Sequence, residues 1–375
     1  MKRLSRAHFS SLPSTHFPER VLQFGTGGFL RGFIGHFIDE ANLHNGFDGC
    51  IVAVGSTGSG RDRVINEQDG LFTLWVRGIV DREAVSDLQL NSAFSRALSA
   101  TEHWPEVLKC ARSRDLELIF SNTTEAGLVI EDGDDLNDEP PHSFPAKLTR
   151  LLWERAEHFD FARDRGVVVV PCELIEDNGT ILRDMVLTLA KRWNLDTRFA
   201  RWIEEAVPFC NTLVDRIVPG EPSPVEKEHA WRQLGYQDDI ITVAEPYRLF
   251  AIEADERVAA RLRFAAADAS VVISDDIAPY RLRKVRLLNG AHTIVVPLAL
   301  LSGCETVADA VNDAKVGAFL RHVLLQELVP SVDAKGAAIF AHHVLERFAN
   351  PFIRHELIDI TLQQTMKMRV RVVPS

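Results

Sequence analysis

The chain has 375 residues, 46% of them hydrophobic and 25% charged, with a net charge of −11; this is the composition of a globular protein, long enough for two domains rather than one core. The acidic balance argues against a nucleic-acid partner, and no apolar run approaches the roughly 20 residues that cross a bilayer, so no membrane partner is expected. The N-terminal MKRLSRAHFSSLPS lacks the apolar stretch of a secretory leader, and five scattered cysteines (Cys50, Cys110, Cys172, Cys210, Cys304) show no CxxC pair or metal-ligand spacing, so free thiols in the cytoplasm and no metal are expected.

Residues 20–42, RVLQFGTGGFLRGFIGHFIDEAN, hold the first clear pattern. An apolar run, 21–24, stops at a glycine cluster; Phe29, Phe33, Phe37 and Ala41 then recur every four residues, the spacing of a helix. Strand, glycine turn and helix form the context of a dinucleotide fingerprint, in which glycines admit the backbone to a pyrophosphate resting on the helix N-terminus. Gly25 and Gly27 fit its first two positions, while Leu30 stands where the third glycine belongs, with Gly28 beside it. Gly25, Thr26, Gly27, Gly28, Phe29 and Leu30 are therefore the candidate cofactor cradle. A strand-to-helix turn without a ligand would read the same.

Buried strands are expected next within 49–56 (GCIVAVGS), 116–120 and 166–175 (GVVVVPCELI), set between helical stretches such as 145–159 and 178–193. This alternation predicts an α/β fold, a Rossmann-like doubly wound parallel sheet with both faces covered. Ligands of such sheets bind beyond the carboxyl ends of the strands, where the 25–28 turn, Ser56 and Asn122 fall. The acidic, proline-rich stretch 131–145 (EDGDDLNDEPPHSFP) predicts a solvated surface loop. Helical spacing dominates to the end, so the expected domains are 1–275, dinucleotide-binding, and 276–375, mainly helical.

At 284–293, KVRLLNGAHT sets three polar side chains in an apolar helix that Pro279 starts. On an ideal α-helix Lys284, His292 and Asn289 fall near about 0°, 80° and 140°, one broad face, with the Lys284 and His292 Cα atoms roughly 12 Å apart along the axis. A small molecule would have to bridge them. Arg286, near about 200°, faces solvent or the other domain. Moving a hydride between a secondary alcohol and a nicotinamide needs a group that takes or gives the hydroxyl proton, and a partly buried lysine can do this. An asparagine amide can donate to the oxygen where charge develops, and a histidine can orient a hydroxyl. The plain alternative is a surface lysine, an Asn-Gly helix break and a core histidine. No P-loop, GxSxG elbow or HExxH helix occurs, and the adjacent His342 and His343 make a poor metal pair.

QFGTGGFLRGF, FCNTLVDRIVPG (209–220) and KVRLLNGAHT, with its Lys-x4-Asn-x2-His pattern, occur in the right order in a similarity spanning nearly the whole chain. They resemble the polyol-specific long-chain dehydrogenases, the group of mannitol dehydrogenase and the hexuronate reductases. Within that group SNTTEAG (121–127), PCELI (171–175) and RFANPFIRHE (347–356) look most like the reductases of keto sugar acids. The resemblance implies a metal-free oxidoreductase with Lys284 as catalytic acid/base. Asn289 and Asn211 would hold the reacting oxygen, and His292 would orient a small-molecule sugar-acid substrate. Its carboxylate calls for a guanidinium nearby; Arg354 and His355 are the candidates, with Arg281, Arg283 and Arg347 close behind. NAD is the implied cofactor. The stretch GSTGSGRDR (55–63), where a ribose-binding acid usually stands, offers Asp62 for NAD and Ser56, Ser59, Arg61 and Arg63 for the 2′-phosphate of NADP. The family continues beyond RVRVVPS into further helices, so the non-enzymatic alternative is a dinucleotide-binding protein without turnover. The enzymatic alternatives are a hexuronate of other configuration and a mannitol-type polyol.

Overall fold

The computed structural model describes residues 1–9, 12, 17–56, 58–123 and 127–373. Thr57 of GSTGSGRDR, Thr124, Glu125 and Ala126 of SNTTEAG, and Pro374 and Ser375 of the final RVRVVPS lie outside the described residues, as do Ser10, Ser11, Pro13 and Ser14 of the N-terminal run. The chain forms two compact units. The first comprises Met1–Trp75, Leu88–Ala244 and Leu249–Asp275; the second comprises Val76–Asp87, Glu245–Arg248 and Asp276–Ser375.

The principal strands are, in chain order, β1 (Glu19–Phe24), β2 (Cys50–Gly55), the hairpin β3 (Phe72–Val80) and β4 (Glu83–Asn91), β5 (Phe94–Ser99), β6 (Leu118–Ser121), β7 (Val168–Pro171), β8 (Thr212–Asp215), β9 (Thr242–Ala244), β10 (Leu249–Glu253) and β11 (Val271–Ser274). The central sheet of the first unit runs β5-β2-β1-β6-β7, with every pair parallel. Val21, Leu22, Ile51, Ala53, Ile119 and Val168 are wholly buried, because helices cover both faces; strands covered on both sides read as continuous apolar runs. Those helices include α1 (28–44), α2 (Phe144–His158) and α3 (Asn178–Arg192). Phe33 and Phe37 of α1 pack against Phe250 of β10, with ring centroids 5.2 and 6.0 Å apart. From β1 the chain builds outward to β2 and β5 on one side and to β6 and β7 on the other. The strand order therefore reverses between β1 and β6, and a crevice opens at such a switch point.

Three features depart from the sequence expectation. The hairpin β3–β4, turned by left-handed Asp81 and Arg82 (φ 51° and 68°), joins β9 in a sheet of its own. FCNTLVDRIVPG contributes β8, which pairs antiparallel with β10 outside the parallel sheet. The 131–145 stretch is not simply a solvated loop. Asp134 is buried, accepts from Ser143 N (2.7 Å) and Ser143 Oγ (2.6 Å), and lends its carbonyl to Trp193 Nε1 (3.2 Å).

The second unit is built on α4 (Ala278–Leu301), with α5 (Ala337–Phe348) and α6 (Gln364–Arg371) beside it. The 24 residues of α4 hold an 18-residue window of mean hydropathy 1.2, long and apolar enough to cross a membrane by length and composition, and half of that window is buried inside the structure. Leu287, Ala291, Val295, Val296 and Ala299 belong to one core with Leu320, Leu324, Phe340 and Val344. The hairpin tip belongs to this unit: Asn350 Nδ2 donates to Arg77 O (3.2 Å), and Arg82 N donates to Glu346 Oε1 (3.2 Å).

Candidate active site

In the first unit the glycine turn lies at the switch point. Gly25 has φ +131°, and a Cβ there would stand 2.8 Å from Leu30 Cδ1. Leu30 thus replaces the third glycine by folding back over the first. A Cβ on Gly27 would meet nothing within 4 Å, so this side of the turn is open, beside the unsatisfied N–H groups of the α1 N-terminus. The turn's carbonyls are held from within: Gln23 Nε2 donates to Gly25 O (2.8 Å), and Arg31 Nη1 donates to Thr26 O (2.5 Å). Arg31 is buried, and burial brings its pKa down to about 10. Open backbone, helix N-terminus and buried cation together fit a dinucleotide pyrophosphate. Gly27→Ala is expected to leave the melting temperature unchanged but weaken binding of the reduced nicotinamide dinucleotide at least about tenfold, because the methyl occupies the open side. Gly25→Ala should in addition cost about 1–3 kcal/mol of stability. Fluorescence titration and thermal melts separate the two.

Around the turn, Asn122 N donates to Phe24 O (3.3 Å) and its Nδ2 to Cys172 O (2.7 Å), fixing the loop after β6 to β1 and to the end of β7. Glu173, quoted within PCELI but given no role, is buried and accepts from Ser121 Oγ (3.1 Å), Thr123 N (2.9 Å) and Thr123 Oγ1 (3.2 Å). Burial raises its pKa, against those donors. Phe29 stacks on Phe33 (5.0 Å) within α1. Ser56 is exposed just past β2. Of the neighbouring arginines, Arg63 pairs with Glu102 (3.1 Å), while Arg61 is exposed and close enough to depress Arg31.

Asn211 also belongs to the first unit. Its Oδ1 accepts from Thr180 N (2.9 Å) in the first turn of α3, and its Nδ2 donates to Glu253 Oε1 (3.4 Å). Gly179 makes this seat possible, since a Cβ there would lie 2.4 Å from Cys210 O.

In the second unit α4 changes its hydrogen-bonding pattern. Residues Lys284–Gly290 form a π-helical segment between α-helical flanks. The ideal α-helical angles therefore do not hold. With i→i+5 bonds, residues five apart stand about one turn apart, which turns Asn289 back toward Lys284. Such insertions recur at functional sites. Arg286 does not face away from its own unit: its Nη1 donates to Val370 O and Arg371 O (3.2 Å each). Lys284 and Asn289 are partly exposed, whereas His292 is buried. The imidazole lies flat on Phe348 (3.9 Å, 13°) and edge-on to His355 (5.0 Å), so RFANPFIRHE supplies two walls of its site. No described residue is a hydrogen-bond partner of His292 Nε2.

Burial first, then His355, Arg347, Arg371 and Lys367, hold the pKa of His292 well below the usual histidine value. An unfolded histidine gains a proton below about pH 6.5, which folded His292 does not, so this group's contribution to stability is intact above that pH and falls below it. Unfolding free energy is expected to decline from pH 7.5 to 5.5, with a shallower slope in His292→Gln, measured by denaturant titration.

Of the anticipated carboxylate partners, His355 is beside His292, but Arg354 points elsewhere. It is exposed and ion-paired with Glu305 (3.2 Å) and with Glu356. Arg347 is buried against Glu245 (2.8 Å).

Two family models cover this chain: the mannitol dehydrogenase Rossmann domain matches residues 19–266, and the mannitol dehydrogenase C-terminal domain matches residues 276–375. The altronate oxidoreductase of Bacillus subtilis (strain 168) is 45% identical over 361 residues, 96% of this chain and 75% of that protein. That of Cronobacter sakazakii is 43% identical over 377 residues, all of this chain and 77% of that protein. Among solved structures, the ternary complex of Pseudomonas fluorescens mannitol 2-dehydrogenase with NAD and D-mannitol superposes with a TM-score of 0.76 at 23% identity, covering 96% of this chain and 76% of that one. The chain belongs to the mannitol dehydrogenase family. It is a dehydrogenase acting on a CH–OH group with a nicotinamide dinucleotide.

Proposed function

We propose that the protein reversibly reduces tagaturonate to altronate in the cytoplasm, using NAD as the cofactor couple. The observation that carries the reading is the polar set on α4, Lys284 and Asn289 in a π-helical segment next to a buried, neutral His292. Similarity to altronate oxidoreductases over 96% or more of this chain supports the substrate. The bound cofactor supplies hydride exchange with the carbonyl carbon. Lys284 Nζ gives a proton to the carbonyl oxygen as it becomes a hydroxyl and takes it back in the reverse reaction. The Asn289 amide donates to that oxygen as charge develops. His292 Nε2 meets a substrate hydroxyl and fixes its rotation. Asn211, whose Oδ1 accepts from Thr180 N and whose amide gives one N–H to Glu253, keeps its second N–H to hold the reacting oxygen with Asn289.

The test is the fall of reduced-nicotinamide absorbance with tagaturonate, fructuronate or fructose, each against NADH and NADPH. Rapid consumption of NADH with tagaturonate is the expected result. A preference for fructose or fructuronate would overturn the substrate, and a preference for NADPH would overturn the cofactor.

A further inference from the structure

Beneath the loop that follows β6 lies a buried carboxylate. Glu173 is 2% exposed, and a charge in that position is costly unless hydrogen bonds offset its lost hydration. Three donors do so, all from residues 121–123. Oε2 accepts from Ser121 Oγ (3.1 Å), and Oε1 accepts from Thr123 N (2.9 Å) and Thr123 Oγ1 (3.2 Å). Burial still pushes the carboxyl pKa up against them. The anchor is itself fixed, since Asn178 Nδ2 donates to Glu173 O (3.0 Å) and to Pro171 O (3.2 Å) at the end of β7. Thr123 is also wedged against Gly127, where a Cβ would stand 2.4 Å from Thr123 Cβ. Asn122 is thus held between two clamped neighbours.

The place of this loop gives the clamp a use. A dinucleotide lies across the switch point of a doubly wound sheet, its pyrophosphate on the first turn and one nucleoside to each side. The ribose-reading position at the end of β2 marks the adenosine side, so the nicotinamide half falls toward β6 and β7. Residues 121–123 stand on that side and touch the cofactor turn: a Cβ on Gly25 would lie 3.6 Å from Asn122 O, and Asn122 N donates to Phe24 O (3.3 Å). A carboxylate only accepts, so Ser121 and Thr123 turn their hydroxyl protons inward to it. Asn122 Nδ2 is spent on Cys172 O (2.7 Å). The partly exposed Asn122 and Thr123 therefore offer acceptors, the amide Oδ1 and the lone pairs of the hydroxyl oxygen. The nicotinamide half brings donors, its ribose hydroxyls and its carboxamide N–H groups. A glutamine at 173 would keep the shape of the clamp but set an NH2 group against one of the loop's own donors.

We propose that Glu173 is a positioning residue for the cofactor: by clamping Ser121 and Thr123 it presents the Asn122 amide and the Thr123 hydroxyl oxygen to the nicotinamide half of the dinucleotide. The inference rests on the use of a nicotinamide dinucleotide and not on which sugar acid is reduced. Glu173 acts through the loop and touches neither cofactor nor substrate.

The experiment titrates NADH and ADP by calorimetry into wild type, Glu173→Gln, Thr123→Val and the double variant, at a temperature where thermal melts show each of them folded. Glu173→Gln is expected to weaken NADH about tenfold or more, the scale of one or two lost hydrogen bonds, and ADP by less than about threefold. Thr123→Val should show the same contrast at about threefold to tenfold. The double variant should be weaker than Glu173→Gln by no more than about twofold, because both substitutions open one clamp. With saturating keto acid the KM for NADH should rise while kcat stays within about threefold, as for a lost binding contact. Equal losses on NADH and ADP, unchanged NADH binding, or additive losses in the double variant would overturn the proposal and leave Glu173 a support of the fold alone. If Glu173→Gln does not fold, the contrast in Thr123→Val decides. A wild type that binds NADPH instead is tested with NADPH and its adenosine half, and overturns only the choice of cofactor. A wild type that binds the dinucleotide but turns over no ketone removes the assigned reaction, while the titrations still decide on Glu173.

Discussion

Lys284→Met is expected to lower kcat for keto-acid reduction by about 10³-fold, within the range of a lost general acid, while NADH binds as before. Methionine keeps the length of the side chain and removes the proton. Lys284→Arg should be nearly as slow, because a guanidinium keeps the charge but does not titrate near neutrality. This pair of variants separates a proton-transfer role from a purely electrostatic one. Single-turnover kinetics with NADH fluorescence as the binding control give the answer. A methionine variant within about tenfold of wild type would remove Lys284 from the mechanism.

Arg347→Met is expected to destabilise the second unit by about 3–5 kcal/mol, the loss seen when one partner of a buried pair is removed. Arg347 and Glu245 meet in two parallel bonds, Nη2 to Oε1 at 2.8 Å and Nε to Oε2 at 3.0 Å, with side chains only 4% and 1% exposed. The guanidinium also lies 4.4 Å from the Tyr247 ring centre. Removing the arginine leaves a carboxylate buried beside an apolar core; Glu245→Gln in the same chain should recover part of the loss. All six tryptophans (Trp75, Trp104, Trp153, Trp193, Trp202, Trp231) belong to the first unit. Helical circular dichroism should therefore fall in the variant at a denaturant concentration where tryptophan emission is still native. Coincident transitions at the wild-type midpoint would contradict the expectation.

The parallel sheet was legible because its strands are covered on both faces, so GCIVAVGS and GVVVVP appear as unbroken apolar runs. Strand β4, EAVSDLQLN, gave no such signal: its residues are exposed or half-buried until Asn91, and alternation vanishes when neither face is covered. Strand β5 has its apolar run broken by Ser95 and Arg96, with Arg96 turned to Glu19 (2.7 Å). On α4 the identities of Lys284, Asn289 and His292 could be read, but not their arrangement, since a π-helical insertion has no residue pattern of its own. Glu173, Asn178 and Asp134 escaped notice for a related reason. A buried polar residue is recognisable only by its partners; Asn178 Nδ2, for example, donates to Pro171 O, Glu173 O and Thr212 Oγ1 at 3.0–3.2 Å.

The bond between Glu245 and Arg347 closes over 102 residues of chain, and the hairpin tip Val76–Asp87 lies further upstream still. During synthesis on the ribosome the helical unit has two of its pieces long before it has the rest. Those early pieces must wait without their partners, a delay that lengthens with sequence separation. A genetic fusion that exchanged residues 276–375 between relatives would separate Arg347 from the glutamate with which it evolved. Chimaeras that carry 76–87 and 245–248 along with the C-terminal segment should express as soluble protein where a single crossover at 275 fails.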